Sequence, residues 1–353
     1  MSENTKELLR KSIVVDGLFN ALLYDPPPTE GKKDVIDLFL DGGVTVLNVP
    51  LTIDYYKNDF VTYIRQIYQA YLFEEAFRGK VLIIERYVDI LKAKKENKLG
   101  IILSMQGADP IEHDLRYLSI LHKLGLRIIQ LTYNQQNNVG CGAYDPHDTG
   151  LTRFGQQAIF EMNRLGIIVD VAHVGYRTSL DAIEISKDPV IISHGSAREV
   201  SDSPRNFTDE QIRAVAAKGG VMGVCPLSVF CRKKGKTSRP TVNDFIDHVE
   251  HIMNLVGEDH VGIGVDRWRR IPTQTDLMLR VEYDRTLPGF FASYPVDQYN
   301  VEGFGYYDEW ENLVDRLIKR GFSSAQIQKI LGGNFCRVFE KVWGKKLKLD
   351  DQG

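Results

Sequence analysis

Short aliphatic runs, each followed by a stretch with helical spacing, recur eight times along this chain, and that alternation narrows the possible folds more than any other feature. The runs are Ser12–Gly17 (SIVVDG), Val44–Leu51 (VTVLNVPL), Gly100–Gly107 (GIILSMQG), Ile128–Asn134 (IIQLTYN), Ile167–His173 (IIVDVAH), Pro189–His194 (PVIISH), Gly220–Leu227 (GVMGVCPL) and His260–Asp266 (HVGIGVD). Most of their cores are near-continuous Val, Ile and Leu, as in strands covered on both faces. Between them, Leu115, Leu118, Leu121 and Leu124 share one helical face, as do Phe154, Ala158, Met162 and Leu165. Thr208-Asp-Glu-Gln and Thr241-Val-Asn-Asp carry helix-start signals. Eight strand–helix repeats over about 250 residues predict a (β/α)8 barrel of the TIM type. One extra run, Lys80–Glu85 (KVLIIE), makes a nine-strand doubly wound sheet the main rival. No glycine-rich dinucleotide fingerprint follows any run. Beyond Asp266, the segment 267–305 reads as a long loop over the barrel mouth, and helices are expected at Asp308–Arg320, Ser323–Leu331 and Asn334–Trp343. No linker interrupts the pattern, so residues 1–353 are read as a single domain.

Composition excludes several classes of function. Lys+Arg (44) nearly balance Asp+Glu (47), for a net charge of -3, which argues against a general nucleic-acid surface or attraction to anionic membranes. The basic stretch Arg232–Arg239 (RKKGKTSR) has no interleaved aromatics and reads as a solvated loop. No apolar run approaches the ~18 residues of a membrane span. Met1–Lys11 is polar and lacks the apolar core of a secretory signal. Four cysteines without a C-x-x-C pair give neither a disulfide framework nor a zinc knuckle. A cytoplasmic location is expected. Cys225 reads as a buried, unreactive strand residue, and Cys141 as a loop residue that could be exposed.

Barrel enzymes carry their chemistry at the C-terminal ends of strands. Here those ends hold Asn20, Asn48, Gln106, Tyr133 with Asn134, His173, His194, Cys225 and Asp266. His173 and His194 end consecutive runs, so both imidazoles should face one mouth. They suit either metal ligation or catalysis, or else line a pocket as hydrogen-bonded side chains. Asp266 can ligate a metal or act as a general base, against a plain helix-cap or ion-pair role. Arg205, in Ser-Pro-Arg-Asn, can clamp a carboxylate with its fork.

Several ordered motifs give the chain a resemblance to a known family. They are Gly125–Asn134 (GLRIIQLTYN), Gly150–Gly155 (GLTRFG), Glu161–Gly166 (EMNRLG), Val169–His173 (VDVAH), Ile192–His194 (ISH), Pro204–Asn206 (PRN), Val261–Asp266 (VGIGVD) and Leu331–Phe335 (LGGNF). Together, from about Ile13 to Val342, they resemble the renal or membrane dipeptidases, peptidase family M19. The resemblance implies an amidohydrolase-like barrel with two zinc ions that hydrolyses dipeptides. It maps the second-metal histidines onto His173 and His194, the last-strand aspartate onto Asp266, and the substrate-carboxylate arginine onto Arg205. The first-strand His-x-Asp pair falls on Leu18 and Asn20, the bridging glutamate on Gln106, and a substrate-holding histidine on Tyr133. Leu18 has no lone pair, and Asn20 and Gln106 remove two negative charges, so a two-zinc centre is not expected.

The resulting expectation is a dipeptidase-like hydrolase of a small dipeptide or amino-acid-derived amide. Asp266, His173, His194 and Tyr133 are its catalytic candidates, and Arg205, Asn20, Gln106 and Asn134 its substrate-binding ones. At most one zinc or other divalent ion is held by His173 and His194, or none. The alternative is a metal-free lyase, isomerase or tautomerase acting on a small carboxylate. A non-catalytic binding paralogue ranks last. The expected partner is a small carboxylate-bearing substrate, with no nucleic acid and no membrane; homodimers are common in the family.

Overall fold

A computed structural model describes residues 3–20, 34–51, 59–233, 235–266, 295 and 298–344. Of the mouth loop expected over 267–305, residues 267–294, 296 and 297 lie outside the described residues. The described strands are β1 (Val15–Asp16), β2 (Val46–Pro50), β3 (Val81–Ile83), β4 (Leu99–Gln106), β5 (Leu126–Gln130), β6 (Ile168–Asp170), β7 (Ile191–Gly195), β8 (Val221–Val224) and β9 (Val261–Ile263). All pair in parallel in the order β1-β2-β4-β5-β6-β7-β8-β9. The ring closes between its ends, where the Gly17 N–H donates to the Ile263 carbonyl at 2.8 Å and the Asp266 N–H to the Leu18 carbonyl at 2.9 Å. The extra run, β3, pairs only with Leu99–Ile101 of β4, and β5 takes over that edge from Leu103 onward. It is an appendage to a barrel, and the doubly wound alternative is excluded.

Asp16 ties the seam. Its Oδ1 accepts from the Val265 N–H at 2.7 Å and from the Leu18 N–H at 3.2 Å. In Asp16→Ala both buried donors lose this acceptor, at about 1–3 kcal/mol each. The free energy of unfolding in urea is therefore expected to fall by several kcal/mol; an unchanged midpoint would count against a clasp at Asp16.

Alternate residues of the strands face the barrel axis in layers. Val15, Val46, Ile102, Ile128, Ile168, Ile191 and Val221 form an aliphatic floor. Phe335, Val338, Phe339 and Val342 of the last helix, Asn334–Trp343, pack into the same cluster. The last of the three expected C-terminal helices thus lies across the N-terminal mouth of the barrel. Its apolar stripe must be buried somewhere, and the floor is the apolar surface it meets. The outward strand residues, among them Leu47, Ile101, Val169, Ile192 and Met222, pack with the surrounding helices. Those helices begin as the sequence indicated, with capping boxes at Thr208 and Thr241. Among the described residues, no helix is long and apolar enough to cross a membrane.

Two residues further along these strands, the interior turns polar. Asn48, Ser104, Gln130, Asp170 and Ser193 share the axial parity of the floor residues, and all are buried. At Ser193 the β7–β8 register shifts between Ile192 and Gly195. The Ser193 carbonyl approaches three neighbouring strands so closely that a Cβ at Gly17, Gly223 or Gly264 would meet it at 2.3, 2.2 or 2.0 Å. Only glycine fits at such a backbone approach.

Candidate active site

The C-terminal mouth gathers the predicted side chains. His194 is the last residue but one of β7, whereas His173 and Asp266 lie three residues beyond the ends of β6 and β9. Both adopt left-handed backbone, with φ of 61° and 46°, and Asn134 does the same at 60°. Such conformations cost a non-glycine residue about 1 kcal/mol or more, and they recur at sites where side-chain direction matters. They also explain why strand periodicity stops short of these residues.

His173 and His194 meet through their Nε2 atoms at 2.9 Å. The far nitrogen of each ring has its own partner: Asn134 Oδ1 lies 2.6 Å from His173 Nδ1, and Ser193 Oγ lies 2.8 Å from His194 Nδ1. Gln106 Nε2 lies 3.3 Å from His173 Nε2, and the Tyr133 ring stacks on the His173 ring with centroids 4.3 Å apart. Asn20 Nδ2 donates to Asp266 Oδ1 at 2.5 Å, leaving Oδ2 toward His194 Nε2 at 3.9 Å. His173, His194, Asp266, Gln106, Tyr133, Asn134 and Asn20 therefore form one contiguous constellation.

Burial and the nearby Arg205 charge hold both histidines well below the usual imidazole range, so both are neutral at pH 7. Burial pushes the Asp266 carboxyl up to about 6, with the Arg205 charge opposing it. Arg205 is 1% exposed, and none of Nε, Nη1 and Nη2 has a hydrogen-bond partner among the described residues. Its guanidinium lies 5.5 Å from the Phe230 ring centroid and feels Asp266, Tyr144 and Asp170. Burial lowers its pKa, yet guanidinium stays charged at any physiological pH. A buried cation with five unused donors costs several kcal/mol unless an anion reaches it. Gln106 Oε1 and Asn134 Nδ2 are likewise buried without partners among the described residues.

The donor set does not fit two metal ions. Leu18 is buried and has no donor atom, and Asn20 uses its amide nitrogen on Asp266. Among the described residues no three His, Cys, Asp or Glu side chains come together as a metal cluster. A single ion is compatible with the two facing Nε2 atoms, whose rings are oriented from behind in the way metal-ligating histidines are.

Some participants were not singled out from sequence. Asp170 accepts from the backbone N–H of Ala172 and of Ser193, both at 3.0 Å, and Ser193 links it to His194. Their signal was a carboxylate and a hydroxyl interrupting aliphatic runs, three and one residues before the histidines. Tyr144 is partly buried within the field of Arg205, and nothing in its local sequence marks it. Cys225 is buried, as read, but so is Cys141, which is 1% exposed: its loop folds beneath Thr178 and Thr149.

Comparison with known proteins follows the same line. The profile of the family described as membrane dipeptidase (peptidase family M19) matches residues 3–275. An uncharacterised dipeptidase of Schizosaccharomyces pombe is 32% identical over 260 residues, covering 72% of this chain and 56% of the relative. The dipeptidase verJ of Clonostachys rogersoniana is 27% identical over 316 residues, covering 86% and 74%. The chain thus spans little more than half of the first of these relatives. A crystal structure of an amidohydrolase from Pseudomonas aeruginosa superposes with a TM-score of 0.82 at 32% identity, covering 97% of this chain and 99% of that one.

Proposed function

The chain belongs to the membrane dipeptidase family, peptidase family M19, and on that premise we propose that it hydrolyses a small dipeptide or amino-acid-derived amide bearing a free carboxylate. The observation that carries this reading is Arg205, a fully buried guanidinium with no hydrogen-bond partner for any donor among the described residues, set in the field of His173, His194 and Asp266. A terminal carboxylate is the anion that a planar fork binds best, through two parallel charge-assisted bonds.

With the carboxylate on Arg205, the adjoining amide is directed toward the constellation at the barrel mouth. Asp266, oriented by Asn20, is the general base: its Oδ2 faces the pocket, and its carboxyl titrates near 6, so it is mostly ionised at neutral pH. It takes a proton from the attacking water and returns it to the leaving amine. Tyr133 places a phenol beside His173, where it can donate to the oxyanion of the tetrahedral intermediate. Gln106 lies against the pocket-side nitrogen of His173, and Asn134 holds the far nitrogen of the same ring. One divalent ion on His173 and His194, with Gln106 or Asp266 completing the set, would supply Lewis-acid polarisation of the scissile carbonyl when bound.

The same geometry limits the metal. Elemental analysis of purified protein after dialysis against zinc is expected to give at most one tightly held ion per chain. Two ions per chain would overturn the assignment of Leu18, Asn20 and Gln106 as a lost metal site. The test of function is release of free amino acids from a panel of dipeptides. No turnover of any dipeptide, with or without added divalent metal, would refute the reading.

A further inference from the structure

We propose that Asn206 is a positioning residue that sets where the Arg205 guanidinium lies, by tying the loop that carries Arg205 to the short helix that presents Phe230. The inference rests on the reading of Arg205 as the carboxylate clamp and deepens it, since it says what gives that clamp its place.

Three observations carry it. The first is how the loop is built. Residues 196–207 leave β7 and return to a closed neck, where the Phe207 N–H donates to the Ser196 carbonyl at 2.9 Å and the Arg198 N–H to the Phe207 carbonyl at 2.8 Å. His248 Nδ1 accepts from the Ala197 N–H at 3.1 Å and fixes that neck from behind. Further out, the Val200 and Ser201 N–H groups fold back on the Ala197 carbonyl, and the Asn206 N–H on the Ser203 carbonyl. Those bonds give the loop its shape. Docking its far end, where Arg205 sits, takes side chains that reach another element.

The second is the pair of bonds that Asn206 makes. Its Nδ2 donates to the Ser201 carbonyl at 2.7 Å, across the loop, and to the Phe230 carbonyl at 3.0 Å, on the helix Ser228–Cys231. Both partners are carbonyls, so only the amide nitrogen can face them, and both of its protons are spent. One side chain thus closes the loop on itself and bolts it to its neighbour. Ser201 adds a second bolt, its Oγ donating to the Arg232 carbonyl at 2.6 Å. Asn206 is 4% exposed, and its Oδ1 has no hydrogen-bond partner among the described residues. A half-satisfied buried carboxamide is not what packing alone favours.

The third is what the bolted helix presents. Phe230, whose carbonyl takes the Asn206 bond, is also the residue whose ring lies 5.5 Å from the Arg205 guanidinium. Asn206 therefore joins the backbone beside Arg205 to the backbone of the residue that its guanidinium faces, and fixes both ends of that contact. The guanidinium makes no hydrogen bond of its own among the described residues. Its place comes from the backbone on which it is mounted and from the ring it faces. A fork must meet both oxygens of a carboxylate at once, so a small shift of this loop costs binding without touching the reacting groups.

The test measures dipeptides against their C-terminal amides with the full chain. Asn206→Leu keeps the bulk of the side chain and removes both donors. Its KM for free-acid dipeptides is expected to rise roughly tenfold to hundredfold, the cost of a misplaced binding group. Its kcat, and its KM for the amides, should stay as in the wild type, because only binding of the carboxylate is disturbed. The preference for the free acid then shrinks by the same factor. Adding Asn206→Leu to Arg205→Met should change nothing further, since Asn206 acts only through Arg205. An unchanged preference in folded Asn206→Leu would overturn the proposal. So would a loss that falls equally on acids and amides, or one that persists in the Arg205→Met background, because either marks a merely structural role. Should Asn206→Leu not fold, Asn206→Ser, with one shorter donor in place of two, is read by the same criteria; if neither folds, Asn206 is a structural residue and the proposal falls. A wild-type preference for the acid that Asn206→Leu retains removes this inference and leaves the reading of Arg205 intact. A wild-type protein with no such preference, or with no turnover of any dipeptide, removes both.

Discussion

Asp266→Asn is expected to lower turnover by at least ~10²–10⁴-fold, the contribution of a positioned general base, while leaving the melting temperature of the metal-free protein equal or higher at neutral pH. The two effects share one cause. The Asp266 carboxyl is buried and titrates near 6 in the folded chain against 3.8 as a free side chain. A group whose folded pKa is raised destabilises the fold wherever it is ionised. The penalty is absent below pH 3.8, grows as pH rises through 6, and at neutral pH is of order 3 kcal/mol at most. Asparagine removes it and can still accept from Asn20 Nδ2. Part of the gain is offset because the carboxylate also favours the nearby Arg205 charge. The difference in melting temperature between variant and wild type should therefore shrink as pH is lowered from 7 to 4, measured with chelator present. In the wild-type enzyme kcat/KM should fall below pH 6 as the base protonates, and the variant should lack that limb. Near-normal turnover in Asp266→Asn would remove this residue from the mechanism.

Arg205→Met should raise KM for dipeptides by ~10²–10⁴-fold and leave the unfolding free energy unchanged or increased. Two charge-assisted bonds to a carboxylate are worth about 1.5–3 kcal/mol each, and every 1.4 kcal/mol is tenfold in affinity. In the free protein the guanidinium makes no hydrogen bond among the described residues, so removing it breaks none and relieves a costly buried charge, against the loss of its contact with the Phe230 ring and its attraction to Asp266. Arg205→Lys keeps the charge but loses the fork, and a tenfold to hundredfold rise in KM is expected. The discriminating measurement compares each dipeptide with its C-terminal amide. The wild-type protein should prefer the free acid strongly, and Arg205→Met should not distinguish the two. Wild-type indifference to that carboxylate, or a variant that unfolds, would show Arg205 to be a structural cation instead.

The barrel was legible because its determinants are local and repeated. Eight near-continuous Val/Ile/Leu runs separated by amphipathic helices leave few parallel arrangements, and the threonine caps mark where helices begin. The same regularity made His173, His194, Asp266 and Gln106 conspicuous, as polar residues where packing alone would place aliphatic ones. Arg205 stood out only through its motif, since an arginine in a loop carries no sign of its own burial.

What sequence left open depended on distance across the fold. Whether β3 joined the ring was decided by β5 displacing it along one edge of β4, a competition between strands more than 40 residues apart. The final helix looked like any other amphipathic helix, and only the barrel floor determined that its apolar stripe would close the N-terminal mouth. The pairing of His173 with His194, the grip of Asn20 on Asp266 and the path from Asp170 through Ser193 all join residues from different strands. Left-handed turns and a strand bulge, which have no periodic signature, aim them. Periodicity reports which face of an element is buried, so the sequence by itself determined the architecture and the chemical inventory of the mouth. Hydrogen-bond direction and charge compensation depend on which atoms meet in space, and those were decided only when the ring closed.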